Sequence, residues 1–203
     1  MNLITVFDYL GVFIFAVSGA LVAIRHNMDL FGVLLIGLLP AVGGGTLRDV
    51  LLDVPVFWLS DPWVIIFALL GGGSAIVYRY WTQVRALIWV DALGLSFFSM
   101  LGTVKAIQLG HGFVTVVIMG TITATAGGLI RDVVCGESPL LLKGDIYATA
   151  ALAGSSVCYL GFQAGVWPTL SILLGFSLAL IIRVIAIRYK LSVPTTNWLR
   201  SRK

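Results

Sequence analysis

Seven apolar runs, each about as long as the 20 residues that a membrane-spanning helix needs, divide the chain. They cover residues 4–24, 30–48, 62–80, 88–108, 113–131, 145–162 and 167–187. Short polar segments separate them, and Pro55, Pro62, Pro139 and Pro168 stand near run ends, where proline punctuates helices. The pattern predicts an all-α protein with seven transmembrane helices.

The polar positions inside these runs are not scattered. Asp8 and Gly11 recur 83 positions later as Asp91 and Gly94, and Gly19 and Ala23 recur as Gly102 and Ala106. The same offset carries Gly44-Gly45-x-x-Arg48-Asp49-Val50 onto Gly127-Gly128-x-x-Arg131-Asp132-Val133. Each unit holds three spans. An odd number makes the second unit enter the membrane from the opposite face, so the repeats are expected to be inverted, as in many transport proteins. One transmembrane domain over 1–203 follows: repeat one at about 4–81, repeat two at about 87–162, a seventh helix at about 167–187 and a basic tail at 188–203.

Composition narrows the class. Hydrophobic residues make up 59% of the chain and charged residues 11%, with a mean hydropathy of +1.03. Soluble domains carry about 25% charged residues, so the bilayer is the expected partner. The net charge of +4 is modest. Arg25, Arg79, Arg85, Lys143, Arg188, Lys190, Arg200, Arg202 and Lys203 fall in alternate loops and the tail, which fits the positive-inside rule and not a nucleic-acid patch. The N-terminus is therefore expected outside and the C-terminus in the cytoplasm. Residues 1–24 hold no Lys or Arg, so a signal peptide is not expected. Cys135 and Cys158 lack ligand spacing and read as free thiols. His26 and His111 have no metal-binding neighbours in sequence, and no catalytic set or phosphate loop is present, so neither an enzyme nor a cofactor is implied. Trp58, Trp63, Trp81, Trp89, Trp167 and Trp198 lie near predicted interfaces as anchors.

The candidate chemistry lies in the repeated motif. Gly43, Gly44 and Gly45 with Thr46, and Gly127 and Gly128 in the second copy, admit two readings. Small residues permit close helix packing, and successive glycines also break helices and uncover carbonyls along a polar path. Recurrence in both halves beside charges favours broken second and fifth spans. Pro40 is a further breaker in the second span, and Thr123 and Thr125 add hydroxyls in the fifth. Arg48 with Asp8, and Arg131 with Asp91, are placed at matching depths, so each pair is expected in contact at one mouth of a vestibule, with Asp49 and Asp132 beside them. Lys105 stands deep in the fourth run, about 21 Å beyond Asp91 along a helix. It is expected to point inward at the end of the second span near Gly44 and Asp49, or else to snorkel to the interface. A charge there would feel the membrane potential, worth about 2.3 kcal/mol per unit charge per 100 mV.

Gly43-Gly44-Gly45-x-x-Arg48-Asp49-Val50 and Ala126-Gly127-Gly128-x-x-Arg131-Asp132-Val133, within three-plus-three-plus-one spans, resemble the bacterial membrane family related to trimeric intracellular cation (TRIC) channels. The resemblance covers nearly the whole chain. It implies a homotrimer with one pore per subunit, lined by kinked second and fifth helices and passing monovalent cations, chiefly potassium, across a bacterial inner membrane. It also links Lys105 to voltage-dependent gating. Animal members carry a second basic residue four positions on that helps hold an inositol lipid, and this chain has Leu109 there. Some bacterial relatives are described as glycine transporters, so a carrier for a small zwitterion stands as the alternative.

Overall fold

The computed structural model describes residues 3–77, 84–142 and 146–192. Within them the chain forms α1 (Leu3–Arg25), α2 (Leu30–Leu51), a single-turn α3 (Phe57–Ser60), α4 (Trp63–Val77), α5 (Val84–Gln108), α6 (Phe113–Val134), a 3-10 turn at Leu140–Leu142, α7 (Ala148–Gln163) and α8 (Pro168–Tyr189). Helices α1, α2, α5, α6 and α8 are long and apolar enough to cross a membrane. The described parts of α4 and α7, 15 and 16 residues, are shorter. The expected repeat boundary at 81, the residues Arg79, Trp81, Lys143 and Trp198, and the tail beyond 192 with Arg200, Arg202 and Lys203 lie outside the described residues.

The helices pack as two similar groups. In the first, α1 touches α2 and α4 and α2 touches α4; in the second, α5 touches α6 and α7 and α6 touches α7. The groups meet where α1 crosses α5 and α2 crosses α6, and α8 packs on α5 and α7.

Both crossings are reciprocal. At the first, a methyl on Gly11 would press on the Phe98 ring and one on Gly94 on the Phe15 ring, and the two rings lie 4.9 Å apart. Gly94 and Phe98 stand 83 positions after Gly11 and Phe15. At the second, Gly44 lies against the Thr123 carbonyl and Gly127 against the Pro40 carbonyl, and these four positions are related by the same offset. Inside each group the correspondence continues. Gly19 sits on the carbonyl of Ile36 and Gly102 on that of Met119; Gly37 faces Ala16, Ala20 and Gly72, and Gly120 faces Ser99, Thr103 and Ser155. A glycine wherever two backbones meet lets helices approach without a driving force from water.

The structure corrects the expectation of broken helices. Both α2 and α6 run unbroken through their glycine motifs. Close packing supplies what the glycines lack in helix propensity, because an empty Cβ position is what each crossing requires. Pro40 sits inside α2 without ending it. It lacks the N–H that would reach Ile36, and Gly19 of α1 covers that carbonyl. In the α4 glycine run, Gly71 packs on Phe13 and Gly72 meets Leu34, and a methyl on Gly73 would meet nothing.

Gly127→Ala is expected to lower stability by about 1–3 kcal/mol through overpacking, since the methyl would lie 2.5 Å from the Pro40 oxygen. Gly73→Ala should be neutral or stabilising by up to about 1 kcal/mol, the helix-propensity difference. Thermal unfolding of the two variants in detergent checks the contrast.

Candidate functional site: two buried charge clusters

The Arg-Asp pair that follows each glycine motif builds one local geometry twice. Asp49 Oδ1 accepts from Arg48 Nε at 2.8 Å and its Oδ2 accepts from the Phe57 backbone N–H at 2.9 Å. Asp132 Oδ1 accepts from Arg131 Nε at 2.8 Å and its Oδ2 accepts from the Leu140 N–H at 2.9 Å. Each aspartate so fastens the end of a long helix to the short turn that follows it, α3 or the 3-10 turn. All four side chains are buried, where a charge needs both a partner and hydrogen bonds.

Beyond this shared core the clusters differ. At one end, Arg131 of α6 also donates from Nη1 to Asp91 Oδ1 of α5 at 2.7 Å and to Ser18 Oγ of α1. Asp91 is fully buried, and the Tyr147 hydroxyl lies beside Gly128 at the edge of this cluster. Arg183 of α8 stacks 4.9 Å from the Tyr147 ring and donates from Nη1 to the Ile146 carbonyl at 2.7 Å.

At the other end, Arg48 Nε bonds Asp49 and its guanidinium carbon lies 5.5 Å from the Phe57 ring centroid. Asp8 is half-buried and forms no ion pair within 4.0 Å among the described residues. The expected Arg131–Asp91 contact is therefore present as an ion pair, whereas Arg48 and Asp8 form no ion pair within 4.0 Å, although Arg48 is the charge that bears most on Asp8. The surroundings of the two arginines differ. The position equivalent to Ser18 is Leu101, so α5 offers Arg48 no hydroxyl there, and Phe57 covers the guanidinium instead.

Lys105 is half-buried, and its charge, with those of Arg48, Asp49 and Asp61, bears on Asp8. It forms no ion pair within 4.0 Å with Asp49, both of whose oxygens are engaged by Arg48 and Phe57. Nor is it among the nearest neighbours of Gly44, which meets Thr123 and Gly127. Tyr9 donates to Asp61 at 2.7 Å at this same end.

The hydroxyls named from sequence turn back onto their own helices. Thr46 Oγ1 donates to the Val42 carbonyl at 2.8 Å and accepts from Trp58 Nε1 at 2.9 Å. Thr123 donates to Met119 at 2.6 Å, and Thr125 to Thr121 at 2.8 Å. Gly43 meets Ile130, Gly45 lies under the Phe57 ring, and Gly128 faces Tyr147 and Asp91. No group of three or more His, Cys, Asp or Glu able to hold a metal occurs among the described residues.

Sequence reasoning passed over Ser18, Tyr147 and Arg183. Arg183 had a signal: a basic residue in the apolar stretch Leu178–Ile187 of α8. Ser18 had a weaker one, a hydroxyl deep in α1 at a position whose repeat equivalent is leucine.

Long apolar helices, a duplicated three-helix packing unit and buried Arg-Asp clusters define an integral membrane protein built from an internal repeat. A family model described as "Glycine transporter" matches residues 5–80 and again 88–163, which places the two copies at the same offset of 83. The chain belongs to this family and is a bacterial homologue of the TRIC channels. A TRIC trimeric intracellular cation channel orthologue from Rhodobacter sphaeroides is 38% identical, with a TM-score of 0.89 over 94% of this chain and all of that one. A structure described under conductance through TRIC cation channels is 35% identical, with a TM-score of 0.86 over 96% of this chain and 98% of that one. The inner membrane protein YadS of Escherichia coli (strain K12) is 40% identical over 200 residues, 93% of each chain.

Asp91→Asn is expected to destabilise the protein by about 3–5 kcal/mol, because it leaves Arg131 buried beside a weakened partner. Asp8→Asn should change stability by less than about 1 kcal/mol, since no ion pair is lost. Denaturation of both variants in detergent decides this; equal losses would contradict the asymmetry of the two clusters.

Proposed function

We propose that this protein is a cation channel of the bacterial inner membrane, passing monovalent cations, potassium first among them, along one path in each subunit of a homotrimer. The observation that carries the reading is its similarity to the Rhodobacter sphaeroides channel, at 38% identity with a TM-score of 0.89 over nearly the whole chain. The duplicated architecture supports it. Two inverted repeats crossing at α2 and α6 place carbonyls of Pro40 and Thr123 at the crossing, with no fixed charge among them and charged clusters at either end. Oxygen dipoles without a full charge suit a permeant cation, which must bind well enough to enter and weakly enough to leave. In the conformation described, the crossing is in contact, which corresponds to a closed path. Seven spans follow from the apolar runs, and an N-terminus outside with a C-terminus in the cytoplasm from the distribution of basic residues.

Lys105 is the voltage-responsive element in this reading. It lies near Asp8, half-buried, with no fixed ion pair within 4.0 Å among the described residues. It can therefore exchange partners as the field changes, whereas Arg131 is held on several sides. A second reading, a carrier for glycine, is favoured by the family model's description over both repeats. There the charged ends would recognise the ammonium and carboxylate of the substrate.

Purified protein in planar bilayers is expected to give single-channel potassium currents. Saturable glycine counterflow in liposomes without current would replace the channel with the carrier. Lys105→Ala is expected to change the voltage dependence of the current more than its ion selectivity. Moving a full charge across the membrane is worth about 2.3 kcal/mol per 100 mV, and Lys105 traverses only part of that. Gating unchanged in Lys105→Ala would return this lysine to a snorkelling role.

A further inference from the structure

Among the described residues, side-chain hydrogen bonds and ion pairs join the two repeats at one end only. At the Arg131 end, Arg131 of repeat two donates to Ser18 of repeat one. At the same end Glu137, in the turn after α6, accepts from His26 at 3.1 Å and lies 3.6 Å from Arg25, both at the end of α1. At the Arg48 end the arginine is kept and the equivalents of Ser18, Arg25, His26 and Glu137 are all changed. Leu101 replaces Ser18, Gln108 and Leu109 replace Arg25 and His26, and Val54 replaces Glu137. Leu52 packs there on Ala106, Val116 and Met119. Arg48 and Asp49 bond only within repeat one among the described residues. The glycine crossings are shared by both ends, so these few side chains form the bonds between the repeats that one end has and the other lacks among the described residues.

Directional bonds between charged groups hold one geometry, and apolar contacts allow sliding. In a bilayer the end without such bonds between the repeats is also weakly held, because lipid tails can replace its leucine contacts at little cost. We propose that Ser18–Arg131 and Glu137 with Arg25 and His26 form a two-point latch between the repeats. The latch keeps the Arg131 end shut while the Arg48 end moves first, so opening the whole path requires the latch to part. This rests on the reading that a polar path runs between the repeats, and it adds which end is the gate and which residues hold it.

Spin-label distances test the latch without any permeant. In a Cys135→Ala/Cys158→Ala background, nitroxides at Leu30 and Val134 report the Arg131 end, and nitroxides at Leu51 and Phe113, their repeat equivalents, report the other. All four positions are exposed. With labelled subunits diluted among unlabelled ones in nanodiscs, the Leu30–Val134 distribution should be the narrower. Ser18→Ala/Glu137→Gln should broaden it and move it outward by on the order of 2 Å, the scale of helix shifts at interfaces, and leave Leu51–Phe113 unchanged. Leu101→Ser, which offers Arg48 a hydroxyl, should narrow the Leu51–Phe113 distribution. Equal widths at the two ends, or an unchanged Leu30–Val134 distribution in the double variant, would overturn the proposal. Should the double variant fail to assemble, Glu137→Gln alone, a mild change in a turn, must still broaden the Leu30–Val134 distribution, and no broadening there would overturn the latch equally. If the distances behave as expected and the wild type carries no potassium current, the latch stands and the channel reading fails.

Discussion

The fold depends on backbone meeting backbone where α2 crosses α6. Gly44 lies on the Thr123 carbonyl and Gly127 on the Pro40 carbonyl, and any side chain at either position would force the helices apart. Because the same four positions are related by the internal repeat, the contact is its own mate, and the α1–α5 crossing with Phe15 on Gly94 and Phe98 on Gly11 obeys the same relation. These crossings set how the two halves face each other. The placement of the Arg-Asp pairs follows, since each stands one turn beyond a crossing glycine and is thereby carried to one end of the bundle.

Burying those pairs is expensive unless each charge is answered, and the structure answers them by bonding both oxygens of each aspartate. The repeated motif is therefore first a device for closing a helix onto the next turn. Function draws on what remains. Arg131 is surrounded by Asp91, Asp132 and Ser18, whereas Asp8 and Lys105 influence each other without a fixed bond. The arginine of one end is bonded across the repeats and that of the other is not among the described residues, although both ends keep the same Arg-Asp pair.

Much of this was legible in the sequence. Hydropathy located the long helices to within a few residues, and one offset connected Asp8 with Asp91 and both glycine motifs. The Arg131–Asp91 contact followed from equal depth along two helices. The continuity of α2 and α6 did not follow, because a glycine reads alike whether it breaks a helix or leaves room for a neighbour, and only the position of the neighbouring backbone tells them apart. Asp49 and Asp132 were read as vestibule charges because their amide partners, Phe57 and Leu140, lie in loops whose path hydropathy does not reveal. The two arginines also differ in that Arg131 meets Ser18 where the equivalent position is Leu101, a difference in the part of the repeat that is not identical.

Potassium flux from liposomes bearing Gly44→Ala/Gly127→Ala shows whether the α2–α6 crossing is the barrier to cation flow in the proposed channel. Two added methyls, each directed at a carbonyl, wedge the helices apart. The expected result is a folded trimer of reduced stability whose potassium flux exceeds that of the wild type. A folded double variant with wild-type flux would show that the crossing is not the barrier.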